Sequence, residues 1–503
     1  MLNHRGVAAS RAFAFLSIWY NLQVVGHIYK TVVIGAGISG LACAFRLRQL
    51  GIQAVLLEAS GRAGGMVSTV RRNGFAFEAG PQCPRFPASV WNLVRELNLE
   101  REFVAGDPKA KRYILRDGRL HLAPFSPGGL LTTRLVGPQS KYRLLSEALR
   151  NSQPPSEEES LAEFVERKFG AEVLDYLADP FISTVFFGDA HKMGMESAFP
   201  ALVEWERSRG SVVRGALSAY KSKRDAGKSS DGRSQRDSKA KHRSLYVTDA
   251  LPSLGSFRGG MATLAEKLAE KLGEDVHFGA QVESIVATCA GNSASEAAWQ
   301  IRASGGQEFS AEAVVLAIPA HAAASLLQQN APKLSALLAA IEYAPMGVVS
   351  SAYDRKQVRH ALNGFGFMVP RREGLQTVCT FWNSSLFPVH APQGTVLMTS
   401  FVRGTGGGLM SAPYDVFAET VESENAKILG IAGAPIERTL WRYPRALPQY
   451  NVGHARRVSE IREALNEFPG LCLAGNYLTG RSIGDCAEAG FQAAEKLRSH
   501  MRN

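Results

Sequence analysis

Residues Lys30–Gly40 read KTVVIGAGISG, and a second apolar run, Ala54–Glu58 (AVLLE), ends on an acid. The order is strand, glycine turn, helix start, then a further strand closed by a carboxylate. Gly35, Gly37 and Gly40 fit G-x-G-x-x-G. Their tasks are a tight turn, close approach of backbone to a pyrophosphate, and helix–strand contact. The helix start, Ile38 and Ser39 included, then offers free N–H groups and partial positive charge to phosphates. Glu58 stands 18 residues beyond Gly40, close to the ~20 at which an acid accepts from a ribose hydroxyl. Together these features predict a dinucleotide site in an α/β domain. A glycine turn without a ligand is the alternative.

Two more glycine turns follow. Gly61–Ser68 (GRAGGMVS) contains Arg62 and the Gly64-Gly65 pair, and Glu78–Gln82 reads EAGPQ. Backbone can pass close to a ligand at such turns. FAD is longer than NAD and needs more backbone around it, so this spacing suits FAD.

The 503-residue chain can hold two or three domains, and 45% apolar with 20% charged residues indicates a globular protein. Arg207–Arg243 carries twelve Lys/Arg against three Asp, which supplies +9 of the net +11. This polar, Ser/Gly-rich segment reads as a disordered surface loop over 207–245. Attraction to anionic lipid is a second reading. Nucleic acid is disfavoured as a partner because no aromatic residues interleave the charges. The six cysteines contain no C-x-x-C pair, a pattern of a reducing compartment without disulfide framework or zinc site. Residues 1–29 form an extension before the first strand. Ala12–Tyr20 (AFAFLSIWY) resembles a signal h-region but is followed by no A-x-A site. No later run approaches the ~18 apolar residues of a spanning helix, so a soluble or peripheral protein is expected.

Helical periodicity dominates residues 89–205, and Phe125–Leu135 (FSPGGLLTTRL) is a candidate for a membrane interface. Strand-like runs return at 276–318. The run Ala313–Pro319 reads as a parallel strand rejoining the dinucleotide domain. Further strands over 347–405 suggest a second, mixed sheet. The tail from Leu471 (LCLAGNYLTGRSIGDCAEAGFQAAEKL) is strand, loop and helix.

These residues resemble the flavin amine-oxidase superfamily and, within it, the protoporphyrinogen oxidases. GAGISG, Glu58, GRAGG and GNYLTGRSIGDCAEAG are general to the superfamily. More specific are PFISTVFFGDAHKMGMESAFPAL (Pro180–Leu202), SFRGGMATL (Ser256–Leu264), NGFGFMVPRREG (Asn363–Gly374), SSLFPVHAP (Ser384–Pro392) and ALPQYNVGH (Ala446–His454). The resemblance implies an FAD-binding Rossmann-like domain of p-hydroxybenzoate-hydroxylase type. It places that domain at 30–88, 246–318 and 441–503. A substrate domain at 89–118 and 319–440 and a helical, membrane-facing domain at 119–206 complete the α/β multidomain arrangement. Implied FAD contacts are Gly35, Ala36, Gly37, Ile38, Ser39, Gly40, Glu58, Ala59, Arg62, Gly65, Met66, Gly80, Pro81, Gln82, Val282, Trp441, Arg481, Ser482 and Ile483. For the substrate, the resemblance puts a propionate on Arg112 of GDPKAKRY and stacks the macrocycle against Phe367, Met368 and Trp382. A backbone carbonyl near Ile182–Val185 would meet the pyrroles; this chain has Thr184 where glycine is common.

The implied reaction is FAD-dependent oxidation of protoporphyrinogen IX to protoporphyrin IX in haem synthesis, with dioxygen as acceptor and hydrogen peroxide released. It also implies a cytoplasmic protein, peripheral on the inner face of the cell membrane, that forms a homodimer. No Ser/His/Asp set, carboxylate pair or metal cluster is needed, because the flavin carries the chemistry. Alternatives are a coproporphyrinogen III oxidase, another flavin amine oxidase or desaturase, and a flavin-less escort-type binding protein.

Overall fold

Apolar residues in an unbroken run, rather than in alternation, suit a strand covered on both faces. The second half of the strand Ile28–Ile34, Val32 to Ile34, is such a run and is buried. In this computed structural model, residues 28–228, 254–288, 299–404, 408–478 and 480–502 are described. Residues 1–27, with the h-region-like run, and the centre of the basic segment lie outside them.

Ile28–Ile34 lies between two parallel neighbours, pairing Val33 with Leu56 of Ala54–Glu58 and with Val315 of Gln307–Leu316. Val276–Phe278 extends the parallel set beyond Ala54–Glu58. The long strand Gln307–Leu316 has two partners on its other edge. Its first half pairs antiparallel with Trp299–Ala303, and its second half pairs parallel with Leu471–Leu473. Helices Ile38–Gln49, Ala262–Leu272 and Ile483–Arg502 cover one face, where Val33, Leu41, Leu264 and Ala494 are buried together. Helices Ala320–Leu327 and Pro332–Ala339 cover the other, with Val32, Leu327 and Leu334.

The second sheet is formed, in order, by Glu437–Pro448, Tyr343–Asp354, Thr395–Arg403, Thr377–Phe381, Gly366–Met368, Arg112–Arg116 and Arg119–Leu122. Its pairs are antiparallel except Gly366–Met368 with Arg112–Arg116. Helix Tyr414–Leu429 packs on the back, burying Phe417 against Val349 and Val402. The front carries Met346, Val348, Cys379 and Phe401, with Met66 of the second glycine turn packed against them.

Several expected boundaries move. Helix Ala88–Glu96 belongs to the dinucleotide core through Val90, Trp91, Leu93 and Val94. The two helices after Pro319 also pack there, with Ala323, Leu327, Leu334 and Leu338 buried in the core on its other face. Trp441 lies inside the strand Glu437–Pro448, so the expected boundary at 440 cuts an element. The basic segment does not begin as a loop: Val212–Lys228 is helix. Alanine, lysine and arginine are good helix formers and carry the helix into the charged run.

The helical region has its own core of Phe164, Leu174, Ile182 and Phe186. Helix Leu161–Phe169 starts in a capping box: Ser160 Oγ accepts from the Glu163 N–H at 3.2 Å, and the Ser160 N–H donates to Glu163 at 2.8 Å. A buried ionic cluster joins this helix to its neighbours. Lys168 Nζ lies 2.6 Å from Glu206 Oε1 and 3.4 Å from Glu147 Oε1, and Arg167 Nη1 donates to Glu206 at 2.8 Å. Burial alone would raise the Glu206 carboxyl, but hydrogen bonds from Arg167, Lys168 and Ser152 outweigh it and hold the group at about 2. The folded value lies below the unfolded one. This stabilisation is therefore present at neutral pH and is lost as pH falls from about 4.5 toward 2. Glu206→Gln leaves Lys168 short of its carboxylate and should cost about 3–5 kcal/mol. Urea unfolding at pH 7 tests this, and a loss under about 1 kcal/mol would make the cluster incidental.

Candidate active site

The first glycine turn has no room for side chains on its inner side. A Cβ on Gly40 would stand 1.9 Å from the Gly35 carbonyl oxygen. Gly35 has φ +102°, and its Cβ would meet the Ala317 carbonyl at 2.7 Å. Gly37 differs: a Cβ there meets nothing within 4 Å, so this glycine faces open space where a ligand backbone can approach. The helix that follows has neither a side-chain cap nor an acid in its first turn. Its Ile38, Ser39 and Gly40 N–H groups and partial positive charge are left for an anion.

Glu58 is oriented by three donors. The Ala36 N–H donates to Oε2 at 2.7 Å, and the Ser60 N–H and hydroxyl donate to Oε1 at 2.8 and 2.7 Å. Its lone pairs still outnumber these donors, so a ribose hydroxyl can be accepted as well. Ala59 is exposed beside it. The Ala280 N–H donates to the Glu58 carbonyl at 2.9 Å, which brings the start of the Val282–Ala287 strand to the same end.

The second glycine turn folds back onto the first. The Gly64 N–H donates to the Ala36 carbonyl at 2.8 Å, and a Cβ on Gly65 would lie 3.4 Å from Gly37 Cα. Arg62 is exposed and braces this turn, donating to the Gly65 carbonyl at 2.8 Å. Gly80 packs on the Met66 carbonyl, where a Cβ would come within 2.1 Å. Pro81 follows, and Gln82 is spent on the protein. Its amide donates to the Glu78 and Gly80 carbonyls at 3.2 and 2.7 Å and accepts from Asn383 at 2.6 Å. Gln82 is thus a tie between the two domains rather than a free ligand group, a correction to its expected role.

The C-terminal turn is also partly committed. Asp485 accepts from the Ser482 N–H at 3.0 Å and from its hydroxyl at 2.7 Å, and Ser482 Oγ accepts from the Asp485 N–H at 3.0 Å. This leaves the Ile483 helix start, not Ser482, to offer donors. Arg481 lies over the Phe186 ring with Cζ 3.0 Å from its centroid, and its buried Nη1 has no hydrogen-bond partner among the described residues. Burial pushes it down to about 10. An unpaired buried donor beside a glycine cradle fits a large polar cofactor.

The substrate residues divide. Arg112 sits at the start of its strand with its guanidinium over the Phe365 ring, 4.4 Å from the centroid, and donates to the Ala110 carbonyl at 3.2 Å. Met368 is on the front of the sheet with Met66 and Trp441. Phe367 and Trp382 are not. They are 1% and 0% exposed, packed on the back with Tyr353 and Leu429. The expectation that they stack on a macrocycle is corrected. Phe365, two residues earlier, lies instead beside the Phe381 ring and under the Arg112 guanidinium. Strict alternation would put Phe365 and Phe367 on one face. Gly366 breaks it with φ +139°, a conformation closed to other residues here because a Cβ would lie 2.0 Å from the Thr380 carbonyl. The front then carries a row of rings. Phe365 and Phe381 have centroids 5.5 Å apart, Phe381 and Phe401 5.6 Å, and Phe401 and Phe187 5.4 Å. Sequence reading did not single out Phe381, Phe401 and Phe187, since no local signal says which side chains the sheet gathers on its front. Thr184 lies against Cys379 at the edge of this row. It is in the last turn of helix Asp179–Phe186, where carbonyls run out of intrahelical donors.

With this geometry in place, the comparisons with known proteins are decisive. The family of flavin-containing amine oxidoreductases matches residues 38–498. The chain belongs to that family. It is an FAD-dependent oxidoreductase. It is 31% identical to a chloroplastic protoporphyrinogen oxidase of Oryza sativa subsp. japonica, covering 93% of this chain and 88% of that one. It is 27% identical to the coproporphyrinogen III oxidase of Bacillus subtilis (strain 168), covering 93% and 98%. Among solved structures, a chain from Exiguobacterium sp. 255-15 superposes with a TM-score of 0.75 at 22% identity, covering 95% and 100%. Cyclohexylamine oxidase from Brevibacterium oxydans IH-35A does so with 0.66 at 15%, covering 95% and 100%. These two show the shared fold.

Two outcomes are expected. Glu58→Leu removes the ribose acceptor and frees the Ala36 N–H, and should weaken FAD binding about 10- to 100-fold. The ratio of flavin to protein absorbance after dialysis reads this, and full retention would reject the role. Glu78, buried under the same turns, accepts from the Met261 N–H and Thr69 Oγ1, both at 2.8 Å. Burial nevertheless pushes it up to about 8. The folded value exceeds the unfolded one. Its contribution is thus complete below about 4.5 and is lost as pH rises through about 8. Thermal stability should decline over that window, and Glu78→Gln should flatten the decline.

Proposed function

We propose that this chain oxidises a porphyrinogen, taking protoporphyrinogen IX to protoporphyrin IX in haem synthesis. The observation that carries the reading is the row Phe365, Phe381, Phe401 and Phe187, headed by Arg112 and adjoining Met66 of the glycine turn. A flat-to-cupped apolar macrocycle with acid side chains suits an aromatic row ending in a guanidinium. Relatives named for this oxidation share 31% identity over nearly the whole chain.

FAD, when bound, supplies a two-electron acceptor for the hydride of a bridge carbon. The chain's own residues bind and orient. Arg112 holds a propionate through charge-assisted hydrogen bonds. The rings, with Met368 and Trp441, present one bridge carbon and exclude water. No side chain is required as base, since the pyrrole proton can pass to solvent. Three such two-electron rounds make up the six-electron oxidation, and in each one dioxygen would take two electrons and two protons and leave as hydrogen peroxide. Coproporphyrinogen III is the second reading, favoured by the Bacillus subtilis relative, which the chain matches over 98% of its length.

Membrane contact is part of the proposal. Among the described residues no helix is long and apolar enough to cross a membrane. The helical region nonetheless exposes Phe125, Tyr142 and Leu149 at 67%, 70% and 86%, with Leu131 and Leu145 nearby in sequence. Lys141 and Arg150 interleave them. Such a face suits peripheral attachment to an anionic bilayer, the inner face of a cell membrane.

Aerobic incubation of flavin-loaded protein with protoporphyrinogen IX should raise porphyrin fluorescence above the spontaneous rate. A spontaneous-rate trace from yellow protein, with coproporphyrinogen III equally inert, would reject the proposal. Arg112→Ala should raise KM about tenfold at unchanged flavin content. An unchanged KM would remove Arg112 from the substrate site.

A further inference from the structure

A second basic residue reaches the aromatic row from the side away from Arg112. Arg403 ends the strand Thr395–Arg403, two residues past Phe401, and so shares its face. Its partner across the sheet is Met346, which packs in the same front cluster as Phe401. Among the described residues the guanidinium has hydrogen bonds to neutral groups only. Nη1 donates to Ser183 Oγ at 3.3 Å, and Nη2 donates to the Val369 carbonyl at 3.4 Å. Both are long for a cation, whose good contacts run near ~2.8 Å. Asp179, the carboxylate it feels most, is engaged elsewhere. It accepts from the Arg371 N–H at 3.2 Å, from Arg371 Nε at 3.4 Å and from Ser183 Oγ at 3.3 Å. Burial and the nearby Arg371 hold Arg403 below the usual arginine range. A partly desolvated arginine with no carboxylate in direct contact among the described residues is costly unless a ligand brings one.

Its position relative to Arg112 matters. Arg112 pairs with Gly366, Gly366 with Phe381, and Phe381 with Thr399, four residues before Arg403. The two arginines are thus three strands across and four residues along, roughly 19 Å apart at Cα by ideal sheet spacing, with the rings of Phe381 and Phe401 between them.

We propose that Arg403 is a second carboxylate anchor of the substrate site, so that the site takes a porphyrinogen with acid side chains on opposite edges of the macrocycle. This rests on the porphyrinogen reading above and narrows it. Protoporphyrinogen carries its two propionates on neighbouring pyrroles, so one edge can engage one arginine. Coproporphyrinogen carries a propionate on every pyrrole and can engage both. Coproporphyrinogen III is then a substrate of this chain, with Arg403 setting its affinity.

Binding of coproporphyrin III to the flavin-loaded protein, followed by quenching of tryptophan fluorescence, tests the anchor without turnover. Arg403→Met should weaken binding about tenfold or more, and Arg403→Lys should restore part of it. Protoporphyrin should lose less, and coproporphyrin tetramethyl ester should change by under about twofold. Equal losses for the acid and the ester would mean lost packing and overturn the proposal. So would unchanged affinity, or wild-type protein that does not bind coproporphyrin III. Should the methionine variant not hold flavin, Arg403→Gln makes the same comparison. Coproporphyrin binding that depends on Arg403, without oxidation of either porphyrinogen, would uphold the anchor and reject the enzymatic reading.

Discussion

The hydrogen bond from the Ala36 N–H to the Glu58 carboxylate ties the first glycine turn to the end of the next strand, and the cofactor site is built outward from it. It sets the acid at the height of the turn, where a ribose stands if a pyrophosphate lies over Gly37. The same Ala36 offers its carbonyl to Gly64, so the second glycine turn is stacked on the first. Met66 then emerges against the front of the second sheet. A few backbone and side-chain bonds thus connect the dinucleotide cradle to the surface on which a substrate can lie.

That surface depends on an unusual conformation. At Gly366 the chain leaves strict alternation, and Phe365 turns to the front while Phe367 joins the core. The sheet can therefore bury Phe367 and Trp382 for stability and still present Phe365 beside Phe381. Two different sets of side chains are thus separated onto the two faces of one thin sheet. Helix Tyr414–Leu429 seals the back, so the front is free to be partly open. The basic groups follow the same logic. Arg112 and Arg403 stand at opposite corners of the apolar row, while Lys168 and Arg167 in the helical region are compensated by Glu147 and Glu206.

Much of the cofactor domain was legible because its determinants are local. A tight turn, a helix N-terminus and a strand-ending acid lie within thirty residues of one another. Each demands a residue type with few substitutes: glycine where a Cβ has no room, and a carboxylate where a hydroxyl is to be accepted. Arg112 was named by resemblance, and the fold stacks it on Phe365. Gln82 and Ser482 lie in the right turns, yet their polar groups are taken by Asn383 and Asp485, partners distant or reciprocal in ways a motif does not state.

By itself, then, the amino-acid sequence determined the dinucleotide fold, FAD and the membership of a flavin oxidoreductase family, since close packing and hydrogen bonding at short range leave little choice of residue. The tertiary structure alone decided which aromatic residues lie on the front of the second sheet and which on its back. An apolar side chain on a two-sided sheet lowers free energy equally well on either face. Only the sheet's register, the helix on its back and the twist at Gly366 assign the faces. It also decided that Arg403 meets Ser183 and the Val369 carbonyl while Asp179 pairs with Arg371, because the strand pairing, not the local sequence, determines which charges meet.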